Sequence, residues 1–320
     1  MKLHEDHIFK DSITATAQHL HISELIVEKD YWVTYALKNI IKHRIVENVV
    51  FKGGTSLSKA FNIIKRFSED VDLAAINLNG TTNSQIRKEI RNLSKKVSAD
   101  LPEVDDERTT KGDYIRRTFH SYPIRSVVED NSPIERTVLL EINSITSNLE
   151  YQKFPISTFI HAFLKTNNNN DLIKKYEMEP FELNVLDKKR TFTEKILALA
   201  RYSNDNDTSK IKSKIRHFYD LTMLLKETEI KTFLDSEEFL DTIRIVREND
   251  NATPVFGQPW LKNKIKNSKL MKNPTEIWQD LKGTYISNQL TSLVFDDAPN
   301  ENEVLETLIK ISERIRHLEG

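Results

Sequence analysis

Two aspartates two residues apart, Asp70 and Asp72, follow a glycine pair, Gly53-Gly54, in the stretch VVFKGGTSLSKAFNIIKRFSEDVDL over residues 49–73. On a strand, residues two apart point to the same face, so an extended Glu69–Leu73 turns Asp70 and Asp72 one way and Glu69, Val71 and Leu73 the other. Two carboxylates on one face make a hard, all-oxygen site suited to Mg²⁺, and they repel each other unless a cation lies between them. Glycines let a backbone come close to a ligand, and free N–H groups at a helix start attract phosphate. A triphosphate held at such a turn, beside metal held by the carboxylates, is an arrangement for nucleotidyl or phosphoryl transfer. The turn is not a Walker loop, because no G-x-x-x-x-G-K-[ST] is present.

The elements that must position these groups are legible nearby. Val49-Val50-Phe51 is a short apolar run of β-formers and reads as a buried strand. Leu57, Phe61 and Ile64 recur at helical spacing, which starts a short helix just after the glycines, with Thr55 or Ser56 as its N-cap. Upstream, residues 7–42 read as two helices, the second with an apolar stripe of Leu25, Tyr31, Trp32, Tyr35, Ala36 and Ile40 and a charged first turn, Glu28 to Asp30.

Downstream, Ser84–Lys96 is a basic helix and residues 101–113 are a polar loop. Tyr114–Arg125 and Ile134–Ile145 read as strands. Glu141 lies between Leu140 and Ile142 on the second of them. Metal-dependent nucleotidyl transfer uses a third carboxylate on a neighbouring strand as general base or shared ligand, and Glu141 fits that place, with Glu135 as the fallback. Asn167–Asn170 is a polar tether that marks a lobe boundary. Phe181–Leu186 alternates into a strand, and a helix opens at Lys188-Lys189-Arg190 and runs to about Tyr202, capped by Thr191 or Thr193. On it Glu194 and Arg201 share a face. In the helix Ile211–Leu225, Arg216 and Asp220 are four apart, the spacing of an ion pair. Beyond residue 230 the chain reads as helices with loops, Glu276–Leu290 and Glu301–Leu318 among them.

The totals bound the class. The chain has 320 residues, 38% hydrophobic and 30% charged, with a net charge of −1, so RNA binding would have to come from local basic patches, at residues 87–96, 188–190, 209–216 and 262–272. No apolar run approaches the roughly 20 residues of a membrane span, and MKLHEDHIFK lacks the apolar core of a signal peptide, which predicts a cytoplasmic protein. The absence of cysteine excludes disulfides, zinc–thiolate sites and Cys nucleophiles.

Four ordered strings, EKDYW at residues 28–32, KGGTSLSK followed by SEDVDL, TFTEKILALAR at 191–201 and RHFYDL at 216–221, resemble the polymerase-β-type nucleotidyltransferases. They resemble more closely the AbiEii/AbiGii nucleotidyltransferase toxins of bacterial abortive-infection and toxin–antitoxin systems. The gap between the glycines and the first aspartate is longer than the generic superfamily pattern but fits the toxin branch. The resemblance implies an α+β nucleotidyltransferase lobe (1–166) with a mixed sheet flanked by helices, then a mostly helical lobe (167–320), with the site in the cleft between them. It implies an NTP substrate, two Mg²⁺ ions (or Mn²⁺) on Asp70, Asp72 and Glu141, and catalytic roles for these three with Lys195 and Asp220. The nucleotide-contacting set is then Lys52, Gly53, Gly54, Thr55, Ser56, Lys189, Arg190, Lys195 and Arg201, and the EKDYW string puts Lys29 or Asp30 at the border of the site. It further implies a tRNA acceptor at its 3′ end, a block to translation, a role in phage defence and a cognate antitoxin. Transfer to a protein or small-molecule hydroxyl, or NTP binding without turnover, are the alternatives.

Overall fold

The computed structural model describes residues 2–78, 81–126, 134–145, 149–204, 208–252, 259–287, 293–295 and 298–319. The chain forms two compact units: Met1–Asn62 with Phe67–Thr146 and Tyr151–Leu186, and Ile63–Arg66 with Ser147–Glu150 and Asp187–Gly320. The division after Leu186 differs from the boundary expected at 166/167. Phe181–Leu186 is a strand inserted into the sheet of the first unit, so its backbone hydrogen bonds bind it there. The Asn-rich stretch lies inside the first unit and joins two short helices.

In chain order the first unit contains α1 (Ile8–Leu20), α2 (Glu24–Lys42), β1 (Val49–Lys52), α3 (Gly53–Lys59), β2 (Asp70–Ala75), α4 (Asn83–Val97), β3 (Glu103–Val104), β4 (Thr110–Lys111), β5 (Ile115–Ser121), β6 (Thr137–Ser144), β7 (Tyr151–Ile156), α5 (Phe159–Thr166), α6 (Asn170–Lys175) and β8 (Phe181–Leu186). The expected polar loop at 101–113 thus carries two short strands, which pair with β5. The sheet order is β3-β5-β6-β2-β1-β8-β7, with β4 also on β5. It is mixed: β2 runs parallel to β6 and β1 to β8, and the other pairs are antiparallel. The fold is α+β.

One face of this sheet is apolar. Phe51, Val71, Leu73, Val138, Leu140 and Ile142 are buried; α2 packs against β2 and β6, and α4 against β5 and β6. The strand alternation in β2 follows the sequence: Val71 and Leu73 have no exposed surface, whereas Asp70 and Asp72 are half-buried on the opposite face.

The charged residues of EKDYW depart from expectation. Glu28, Lys29 and Asp30 lie in the second turn of α2, not in a solvated first turn, and all three are buried. Each is satisfied by a distant partner, as buried charge requires. Glu28 accepts from the backbone N–H groups of Arg125 (2.6 Å) and Ser126 (3.0 Å) and from the Ser126 hydroxyl. Lys29 donates to Glu69, one residue before β2, at 2.9 Å, and to the Glu135 carbonyl. Asp30 accepts from Lys59, the last residue of α3, at 2.6 Å and from the Phe159 N–H at 2.8 Å. One helical turn therefore ties down the end of the glycine helix, the start of the carboxylate strand and the chain after β5.

The second unit contains α7 (Lys188–Ser203), α8 (Thr208–Lys212), α9 (Ile215–Lys226), α10 (Thr228–Asp235), α11 (Glu237–Ala252), α12 (Lys269–Lys272), α13 (Pro274–Ile286) and α14 (Glu301–Leu318). The helix expected over 211–225 is broken between Lys212 and Ile215, and the last three residues of the expected 276–290 helix lie outside the described residues. Asp187, not Thr191 or Thr193, caps α7, accepting from the Lys189 N–H. Both threonines sit inside the helix and donate their hydroxyls back to the carbonyls of Asp187 and Lys189. Among the described residues no helix is long and apolar enough to cross a membrane.

Replacing Lys29 by Met removes the buried ammonium that pairs with the Glu69 carboxylate. The expected loss is about 3–5 kcal/mol in the unfolding free energy at neutral pH, measured by urea titration, and pairing the change with Glu69→Gln recovers most of it.

Candidate active site

Strand register builds the site. Lys52 of β1 pairs with Asp72 of β2, Asp72 with Glu141 of β6, and Glu141 with Arg117 of β5. Paired residues on adjacent strands share a face, so a row of charges, positive, negative, negative, positive, crosses four strands. Asp70, two residues from Asp72, adds a further carboxylate on the same face. Glu141 thus stands beside Asp72 on the neighbouring strand. Glu135, the fallback, precedes β6 and holds Arg108 at 2.9 Å.

The glycine turn meets the same carboxylate. Gly53 has φ +79, where side chains are strained, and a Cβ added there would lie 2.2 Å from Asp72 Oδ2. The Asp72 carboxylate fills the space that glycine leaves. Helix α3 begins at Gly53, with Lys52 at the N-cap position and no side-chain cap, so neither Thr55 nor Ser56 caps it. Both are fully buried. Thr55 donates to the Asp70 carbonyl at 2.6 Å, and Ser56 to the Gly53 carbonyl at 2.9 Å. The Thr55 hydroxyl fastens the turn to β2, and that of Ser56 closes the turn on itself.

Arg117 was not legible from spacing. Its Nε donates to Glu141 Oε2 at 2.8 Å and its Nη2 to the same oxygen. Burial disfavours its charge, but Glu141, and beyond it Asp72 and Asp70, raise its pKa above the ordinary value. The only sequence signal was a strand bearing Arg116 and Arg117; register alone assigns Arg117 to the acidic face.

Whether a divalent cation suits this face follows from its donors. Asp70, Asp72 and Glu141 offer only hard carboxylate oxygen, the chemistry Mg²⁺ or Mn²⁺ takes. Among the described residues, though, no three such side chains converge as a ready ligand group, and one oxygen of Glu141 is engaged by Arg117. The donor set fits the ion.

The remaining expected residues fall in the second unit. Lys195 (α7) and Asp220 (α9) are joined at 2.8 Å, both buried. Asp220 also accepts from Arg66, at 2.7 Å from Nε and 2.8 Å from Nη2. Spacing had pointed to Arg216; Arg66 lies far away in sequence and reaches Asp220 only because Ile63–Arg66 folds into the second unit. Burial raises the Asp220 pKa, but the two cations outweigh it and hold the carboxylate well below the usual range. His217 beside them is kept neutral by burial and by the charge of Lys195. Lys189 pairs with Glu238 at 3.0 Å, Arg190 with Glu194 at 3.1 Å, and Arg201 lies over the Tyr202 ring.

A glycine turn closed on one of a set of carboxylates that sheet register brings side by side is geometry suited to nucleotidyl transfer. A family model described as nucleotidyl transferase AbiEii toxin, type IV toxin–antitoxin system, matches residues 36–306, and the chain belongs to that family. Membership implies an NTP substrate and an antitoxin partner. Among solved structures, MenT4, a nucleotidyltransferase toxin from Mycobacterium tuberculosis H37Rv, shares the fold with a TM-score of 0.55, covering 94% of this chain and 89% of that one at 16% identity. No curated protein sequence matches the chain.

Gly53→Ala forces a Cβ into the Asp72 carboxylate. Nucleotidyl transfer is expected to fall about 100-fold, measured as initial rate, with the thermal transition still cooperative. Asp220→Asn removes the buried carboxylate charge that Arg66 and Lys195 share, with an expected loss of about 3–5 kcal/mol. Because the folded pKa is depressed, that stability is present above the unfolded value of about 3.9 and is lost as pH falls below it. Urea titrations of both proteins should therefore show a constant gap from pH 7 to about pH 5 that narrows below about pH 4.

Proposed function

We propose that the protein transfers a nucleotidyl group from an NTP to the terminal hydroxyl of an RNA, the 3′ end of tRNA, in the bacterial cytoplasm, and so blocks translation until its antitoxin restrains it. The observation that carries the reading is the in-register row Lys52, Asp72, Glu141 and Arg117 against the Gly53 turn. In the reaction the acceptor oxygen bonds to the α-phosphorus, the bond to pyrophosphate breaks, and the hydroxyl proton leaves.

Asp70 and Asp72 are the residues that would hold a divalent metal, Mg²⁺ or Mn²⁺. Bound there, the metal supplies charge stabilisation to the phosphates and lowers the pKa of the attacking hydroxyl. Glu141, through the oxygen that Arg117 leaves open, accepts or orients the hydroxyl proton. The backbone of Gly53 and Gly54, fixed by Thr55 and Ser56 below it, receives phosphate oxygen. Lys195 is assigned to the charge of the leaving pyrophosphate on its motif, with Asp220 holding the ammonium in place.

Support for an RNA acceptor is electrostatic. Lys88, Arg91 and Lys95 are exposed along α4, and Lys262, Lys264, Lys269 and Lys272 are exposed in the second unit. The patch at 188–190 offers less, since Lys188, Lys189 and Arg190 pair with Glu229, Glu238 and Glu194.

The test is transfer of label from each α-labelled NTP to total bacterial tRNA with Mg²⁺, beside Asp72→Asn. Label on tRNA that falls at least about 1,000-fold in the variant is expected. Label that persists in a folded variant overturns the metal assignment; mutant-sensitive pyrophosphate release without labelled tRNA overturns the acceptor.

A further inference from the structure

The acidic row carries a cation, Arg117, that has no step of its own in the transfer described above. Arg117 puts two donors, Nε and Nη2, on a single oxygen of Glu141, Oε2. Neither side chain makes another hydrogen bond among the described residues, so Glu141 Oε1 and Arg117 Nη1 are both open. The pair is not a buried structural one: the Arg117 side chain is 39% exposed and that of Glu141 19%. An exposed pair of this kind adds little to stability. What distinguishes it is place, because strand register sets Arg117 beside Glu141, and Glu141 beside Asp72.

We propose that Arg117 competes with a divalent cation for Glu141 and so holds the affinity of the acidic row for free metal low until a nucleotide adds its phosphate charge. The inference rests on the reading of Asp70 and Asp72 as metal ligands. Its physical basis is charge balance. A guanidinium on Glu141 removes one negative charge from the set and repels a second cation approaching the same carboxylate. A nucleotide triphosphate reverses that balance, since its phosphates attract both the metal and the guanidinium. Arg117, freed from Glu141, then has a phosphate partner available through the donor it leaves open. Metal entry becomes conditional on substrate, and the electrostatic cost of three neighbouring carboxylates is met meanwhile by a cation that cannot lose its proton.

The measurement is equilibrium Mn²⁺ binding to the full-length protein without nucleotide, followed by the electron paramagnetic resonance signal of free Mn²⁺. Wild type is set beside Arg117→Met, Arg117→Gln, Arg117→Lys and Asp72→Asn, with Asp72→Asn also combined with Arg117→Met. The expected result is that both neutral variants bind Mn²⁺ about tenfold more tightly than wild type, that Arg117→Lys stays near wild type, and that Asp72→Asn removes the binding in both backgrounds. Far-ultraviolet circular dichroism shows which neutral variant is folded, and either one suffices. Asp72-dependent binding of equal or lower affinity in the neutral variants overturns the role of Arg117 and leaves the metal reading standing. Mn²⁺ binding that Asp72 does not control in any variant overturns both.

Discussion

Like charges placed side by side must be balanced, and that requirement governs the first unit. Asp72 and Glu141 occupy paired positions on neighbouring strands, with Asp70 two residues along. Carboxylates at the spacing of a sheet ladder repel, and the fold brackets them with Lys52 at one end of the row and Arg117 at the other. The close approach of the Asp72 carboxylate to the chain at Gly53 adds a steric condition, met only by a residue without a Cβ. The result is a face on which two cations flank a set of carboxylates, the charge pattern that the proposed transfer relies on.

That face would be imprecise if the turn and the strand could shift. The second turn of α2 prevents it. Lys29 holds the residue before β2, Asp30 holds the residue that ends α3, and Glu28 holds the chain after β5. Three successive buried charges, each aimed at a different element, give a rigid geometry at the expense of tolerance, since losing any one partner strands a charge in the interior. Thr55 completes the frame by bonding the turn directly to the Asp70 carbonyl. In the second unit Asp220 plays the same part, joining Arg66, α7 and α9 through two buried cations.

Much of the site was legible because strands and helices impose short periods. The alternation of Glu69 to Leu73 sorted Asp70 and Asp72 from Val71 and Leu73, and the β-rich run before the glycines gave β1. Glu141 was legible as an acidic residue in an apolar strand. The errors have equally local causes. Glu28 to Asp30 read as a solvated turn, because buried charge cannot be told from exposed charge until its partners are known. Thr55, Thr191 and Thr193 read as caps, because a hydroxyl near a helix start suits a cap and an interior back-bond alike.

By itself the sequence determined the family, the acidic pair, the glycine turn and the sign of each charge, since all of these depend on residue type and short spacing. Only the tertiary structure decided which charges meet. Arg117 joins Glu141 because β5 pairs with β6 at one register and not another. Arg66 joins Asp220 because four residues between α3 and β2 fold into the second unit. Leu186 ends the first unit because β8 finds its backbone partners beside β1 and β7. Each is a long-range pairing, and long-range pairings are chosen by the combined burial and hydrogen bonding of the folded chain, which no local pattern encodes.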